Sequence, residues 1–145
     1  MAPESRRLAG ILLLVLPTVM YGGATLLTLL VHDPAYAQNP LRQDLFRAGH
    51  AHAGVLLVLS LLVLRYVDEA RLSRRLQWIV RLFIPGSAIL MPAGFFFSVL
   101  SPTATRANSL IYLTYVGALV LAIGVFVLGL GLVRQPPPGG QHPRA

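Results

Sequence analysis

Four stretches of this chain contain no Asp, Glu, Lys or Arg: residues 8–32, 48–64, 82–105 and 107–133. Each is about as long as an α-helix must be to cross a ~30 Å hydrocarbon layer. That layer holds no water, so every backbone N–H and C=O must be satisfied within the segment, which selects helices. The chain is 55% hydrophobic and 12% charged, a balance that a soluble domain of 145 residues does not keep. The expectation is an all-α integral membrane protein, an up-down bundle of four transmembrane helices over about 8–31, 44–64, 79–100 and 108–133. These form a single domain of residues 1–134, and the proline- and glycine-rich 135–145 reads as a disordered cytoplasmic tail.

Charge sets the orientation. All twelve basic residues are Arg, and against five acids they give a formal charge of +7. In a soluble protein that excess would point to nucleic acid; here its placement excludes that partner. Arg6 and Arg7 precede span one, Arg65, Arg71, Arg74, Arg75 and Arg81 fill the connection between spans two and three, and Arg134 and Arg144 follow span four. Only Arg42, Arg47 and Arg106 lie on the other side. Positive charge gathers on the cytoplasmic face, so both termini are expected inside, with 31–47 and 101–108 outside. An Arg-only basic set fits a GC-rich genome and the plasma (inner) membrane of a bacterium. Ala35-Tyr36-Ala37 has the small-residue form of a signal-cleavage site. The apolar run before it far exceeds the usual ~7–15-residue signal core, so span one is expected to stay as an anchor.

Local signals refine the spans. Asn39 followed by Pro40 reads as a cap and first helical residue for span two. Pro17 in span one, and Pro85 and Pro92 in span three, predict bends. Gly117, Gly124 and Gly131, spaced by seven, form one close-packing face, expected to meet another helix of the chain ahead of a second copy. In the connection 65–81, Arg alternates with Tyr66, Leu72, Leu76 and Trp78, as in an amphipathic segment at the headgroups of anionic lipid. Asp68 and Glu69 stand at helical spacing from Arg71 and Arg74, a solvated pattern. Without cysteine, disulfides and thiolate sites are excluded.

The chemical anomaly is Arg47-Ala48-Gly49-His50-Ala51-His52-Ala53-Gly54, which places two imidazoles at the mouth of span two. Ionisable groups in a bilayer persist where they find a partner or perform a task. On a regular helix, residues two apart point about 200° from each other, so His50 and His52 could share one small ion only through an irregular start to span two, which Gly49 permits. The His50 face carries Arg47 together with Ala51 and Gly54, whose small size admits a close neighbour, and His50 is expected to be the interior side chain. Tyr112 and Tyr115 come level with the pair in depth, Asn108 caps span four nearby, and His32 lies about a turn higher.

Three functions compete. The imidazoles could be structural, hydrogen-bonded between helices in an accessory subunit. They could bind haem b or copper in a redox-linked assembly, His50 and His52 with His32 as metal ligands; imidazole suits both groups and no thiolate is present. An Arg followed by His-x-His atop a transmembrane helix is similar to segments of haem-binding respiratory membrane subunits, which implies Arg47 as partner of a propionate. The third reading is a proton-coupled or pH-sensing component of a larger transporter. Transport would require a homo-oligomer or a larger membrane complex, because no inverted repeat and no intramembrane carboxylate is present. No nucleophile motif, phosphate loop or paired carboxylate marks an enzyme, and no catalytic residue is assigned.

Overall fold

The computed structural model describes residues 1–134; the expected tail, with His142, lies outside the described residues. Its elements are α1 (Pro3–His32), the single turn α2 (Pro34–Ala37), α3 (Pro40–Tyr66), α4 (Arg74–Ser98), a 3-10 turn (Ser109–Ile111) and α5 (Tyr112–Val133). No strand occurs among the described residues. The four long helices are apolar enough, over enough length, to cross a membrane.

Short polar side chains start these helices by meeting amides that have no intrahelical partner. Asp33 accepts from the amides of Ala35 and Tyr36 at 2.9 and 3.2 Å, and Asn39 from that of Arg42 at 3.1 Å, with Pro40 opening α3 as expected. Asn108 accepts from the amide of Leu110 at 2.8 Å and donates to the carbonyl of Phe97 at 3.1 Å, so it starts the last span and ties it to the end of α4. Helix α4 runs unbroken through Pro85 and Pro92.

Successive long helices run in opposite directions and each packs chiefly on the next: α1 on α3, α3 on α4, α4 on α5. The glycine face of α5 is used inside the chain, in a close-packing seam. A Cβ on Gly117 would stand 2.5 Å from Met91 Cγ, one on Gly124 2.7 Å from Ile84 Cγ1, and one on Gly131 2.7 Å from Leu72 Cγ. Gly94 of α4 supplies the reciprocal gap, where α5 brings Thr114 against it. By contrast α1 is peripheral, and Ser5 is its one buried residue.

The arginine-rich end departs from its solvated reading. Arg81 and Asp68 form a buried ion pair at 2.6 Å, their side chains 4% and 12% exposed. Arg81 Nε also donates to Ser5 Oγ at 2.9 Å, and Ser5 Oγ donates to Asp68 at 2.9 Å. The remaining Asp68 oxygen accepts from the amide of Ala2. One carboxylate thus pins the start of α1 to the α3–α4 connection and to α4. Glu69 pairs with Arg65, not with Arg71 or Arg74. The connection is too short for a separate surface helix: Arg74, Arg75 and Trp78 already belong to α4. Beside this cluster the core is Val63, Val67, Ala70, Val80, Ile84 and Leu128; at the opposite end it is Tyr36, Phe46 and Val99.

Candidate functional site

Because the Asn39–Pro40 cap starts α3 several residues ahead of the apolar run, Gln43, Arg47 and His50 stack on one helical face at successive turns. That face meets α1. His50 lies against Gly22 and Gly23, and a Cβ on Gly23 would stand 2.9 Å from the imidazole Nε2. The missing side chain is what lets the ring lie between the helices. Toward the histidine end α1 and α3 diverge, leaving a cavity of about 270 Å³. Leu26, Leu27 and Leu30 of α1 form its apolar wall; Tyr36, Gln43, Arg47 and His50 form its polar wall.

Tyr36 reaches this wall because α2 is a single capped turn that folds the ring inward, 2% exposed and 5.8 Å from the Phe46 ring. Burial pushes its phenol up from the ordinary value, against the downward pull of Arg47 and Arg42. Near neutral pH it therefore keeps its proton and remains a donor. Gln43 Nε2 donates to the carbonyls of Tyr36 and Ala37 at 3.1 and 2.8 Å, locking α2 onto α3. Arg47 lies at the mouth, its Nε donating to the Gln43 carbonyl at 3.2 Å and Nη2 to the exposed Asp44 at 2.6 Å. His50 makes no hydrogen bond among the described residues, so both ring nitrogens are uncommitted.

Behind Tyr36 stands Arg42, 6% exposed, with its guanidinium carbon 5.6 Å from the Tyr36 ring centre and 5.2 Å from that of Phe46. Its Nε donates to the Val99 carbonyl at 3.2 Å, a cation set at the carbonyl end of α4 where the helix dipole favours it. Nη1 is buried without a hydrogen-bond partner, and no carboxylate pairs with this side chain among the described residues. An unneutralised positive charge therefore backs the polar wall.

His52 turns the other way. Its Nδ1 donates to the Ala48 carbonyl at 2.7 Å, and its ring packs on Phe95 of α4 at 5.0 Å, so it belongs to the α3–α4 contact. His32, exposed at the end of α1, lies nine residues beyond Gly23, roughly 13 Å further along the axis at ~1.5 Å per residue. His32, His50 and His52 are thus not brought together as a metal set, and no group of His, Asp and Glu able to hold a metal ion occurs among the described residues. Tyr112 and Tyr115 are two-thirds exposed and pair with each other at 6.1 Å on α5, which α4 separates from α3. Matching depth did not bring them to the histidines. Asn108 serves as a cap, and Met91 is buried against Gly117.

Sequence reasoning missed Tyr36, Gln43 and Arg42. Gln43 was one turn above Arg47 on the His50 face and could have been found by extending that face upward. Nothing in the sequence marked Arg42 as buried. No protein-family model matches the chain, and no curated protein or solved structure shows significant similarity to it.

Proposed function

We propose that this chain is a four-span protein of a bacterial plasma membrane, both termini cytoplasmic, that binds a small anionic amphiphile in the α1–α3 cleft near the outer face. The arginine asymmetry between the two ends of the helices supports the orientation. One observation carries the ligand class: the cleft joins a leucine wall to phenol, guanidinium and imidazole groups, and no carboxylate lines it among the described residues. Arg42 adds a fixed charge behind that wall, and Asp44 offsets Arg47 only at the exposed rim. A carboxylate or phosphate head would accept from Arg47, Tyr36 and His50, with its hydrocarbon tail along Leu26, Leu27 and Leu30.

Haem b on two axial histidines and copper on three find little support, because among the described residues His50 is the one imidazole in the lining. No step is assigned to either group. The proton-carrier reading has less support, since the space on the other side of His50 is lined almost wholly by hydrocarbon. The structural reading fits His52, whose bond to Ala48 and packing on Phe95 account for it.

The test is a titration of purified protein in neutral detergent with a long-chain carboxylate and with the alcohol of equal length. The carboxylate should bind at least about tenfold more tightly, a difference of ~1.4 kcal/mol, and Arg47→Gln should erase most of that preference. Equal affinity for acid and alcohol would remove the anionic reading. A reducible Soret band lost in His50→Ala would replace it with haem.

A further inference from the structure

A second cavity of about 360 Å³ lies on the opposite side of the His50–Gly23 contact, between α1 and α4 and floored by Ala53 and Leu57 of α3. It is separate from the cleft, sharing none of its lining residues. Its α1 wall runs from Leu8 to Val19 and its α4 wall from Arg81 to Ile89, about 16 and 12 Å at ~1.5 Å per residue. Half of a ~30 Å hydrocarbon core is about 15 Å, so the groove matches the depth of one leaflet. It exists because α1 rests on α3 and is drawn to α4 only at its first turn, by Ser5 and Arg81. Gly86 leaves it open from the α4 side: a Cβ there would meet nothing within 4 Å.

The end of the groove marked by Leu8 and Arg81 is the arginine-rich end of the molecule. Stepping back by turns from Arg81 and Leu82 along the same face of α4 gives Trp78, then Arg74 and Arg75, both exposed. One turn before Ile11 on α1 is Arg7, also exposed. Of the acids at this end among the described residues, Asp68 is paired with Arg81 and Glu69 with Arg65, which leaves Glu4 against several arginines that make no ion pair within those residues. An apolar slot about one leaflet deep, whose Leu8–Arg81 end adjoins excess positive charge, is complementary to one lipid class. We propose that the α1–α4 groove is a binding site for an anionic phospholipid of the arginine-side leaflet, one acyl chain filling the slot and the phosphate resting on Arg7, Arg74 and Arg75. The bound chain would complete the packing of α1, which the protein's own side chains leave unfinished.

The test uses the full chain in micelles of mixed phosphatidylglycerol and phosphatidylcholine, followed by native mass spectrometry of the lipid that stays bound. The wild type should retain one phosphatidylglycerol in clear preference to phosphatidylcholine. Gly86→Phe, which fills the slot from a position with open space, should cut that retention at least about tenfold. The Arg74→Gln, Arg75→Gln double variant should lower the preference by about fivefold or more, because it removes two of the three cations on which the phosphate would rest. His50→Ala, which belongs to the other cleft, should leave retention unchanged and so separates this site from that one. Should Gly86→Phe fail to give helical, monodisperse protein, Gly86→Leu is read in its place. Undiminished retention in the plugged variant, or equal retention of the two lipids by the wild type, overturns the proposal.

Discussion

His50 and His52 differ in what they touch, and that difference separates two kinds of loss. Removing His52 deletes a hydrogen bond and a ring contact inside the α3–α4 interface. His52→Ala should therefore cost about 1–2 kcal/mol, read as a lower melting temperature in detergent, with ligand affinity unchanged. Removing His50 should do the reverse. Its ring has no hydrogen bond to lose and sits beside a cavity, so His50→Ala should weaken carboxylate binding at nearly unchanged melting temperature. Gly23→Ala, whose new methyl meets Nε2 at 2.9 Å, should move the imidazole and weaken the same binding while leaving Arg47 and Tyr36 unchanged.

Asp68 supplies the pH-dependent prediction. Burial pushes its carboxyl up, but the amide of Ala2, Arg81 and Ser5 together hold it below the ordinary carboxylate value. A carboxyl lowered in the folded state stabilises at every pH above its unfolded value and loses that contribution as pH falls through its folded value. The protein should thus keep full stability at neutral pH and lose it only under strong acidification. Asp68→Asn should make the loss permanent, on the order of 3 kcal/mol, because Arg81 is left buried without its partner. An acid-stability curve of the wild type identical to that of Asp68→Asn would contradict this assignment. None of it was legible in the sequence, where Asp68 and Arg81 lie thirteen residues apart and the nearer arginines offered a plainer pairing.

Among the elements, the glycine seam of α5 against α4 is tight, whereas α1 keeps an open flank. The seam of α5 has no room: Gly117→Ala would place a methyl 2.5 Å from Met91 Cγ and 2.9 Å from its backbone nitrogen, and should destabilise by about 1–3 kcal/mol. Gly10→Ala on the open flank of α1 meets nothing within 4 Å and should stabilise slightly, by up to about 1 kcal/mol, since glycine in a helix costs backbone entropy. A paired thermal-unfolding comparison checks both. The seven-residue glycine spacing and the Asn39–Pro40 cap were readable as pattern, because each depends on one helix alone. The placement of Tyr112 and Tyr115 was not: depth follows from counting along a helix, while lateral position depends on which helix lies between, and here α4 does. The same limit hid Tyr36, which enters the cleft through a one-turn helix too short to leave a periodic signal.

At the scale of the whole molecule, charge and cavities share one axis. Eight arginines of the described residues gather at the end bearing the Asp68 cluster, while the histidine end holds Arg42, Arg47 and Arg106. The α1–α3 cleft lies toward the histidine end and the α1–α4 groove toward the other, with the His50–Gly23 contact between them. Helix α1 borders both, so its sparse packing is what leaves the two cavities between the helices. The claim that the cleft holds an anionic amphiphile is tested most directly by photolabelling with a long-chain carboxylate that carries a diazirine on its tail, followed by mapping of the modified residues. Labelling concentrated on Leu26, Leu27 and Leu30, and diminished in Arg47→Gln, is the predicted result. Labelling spread over exposed apolar residues such as Leu14, Leu119 and Phe126, and indifferent to Arg47, would contradict it.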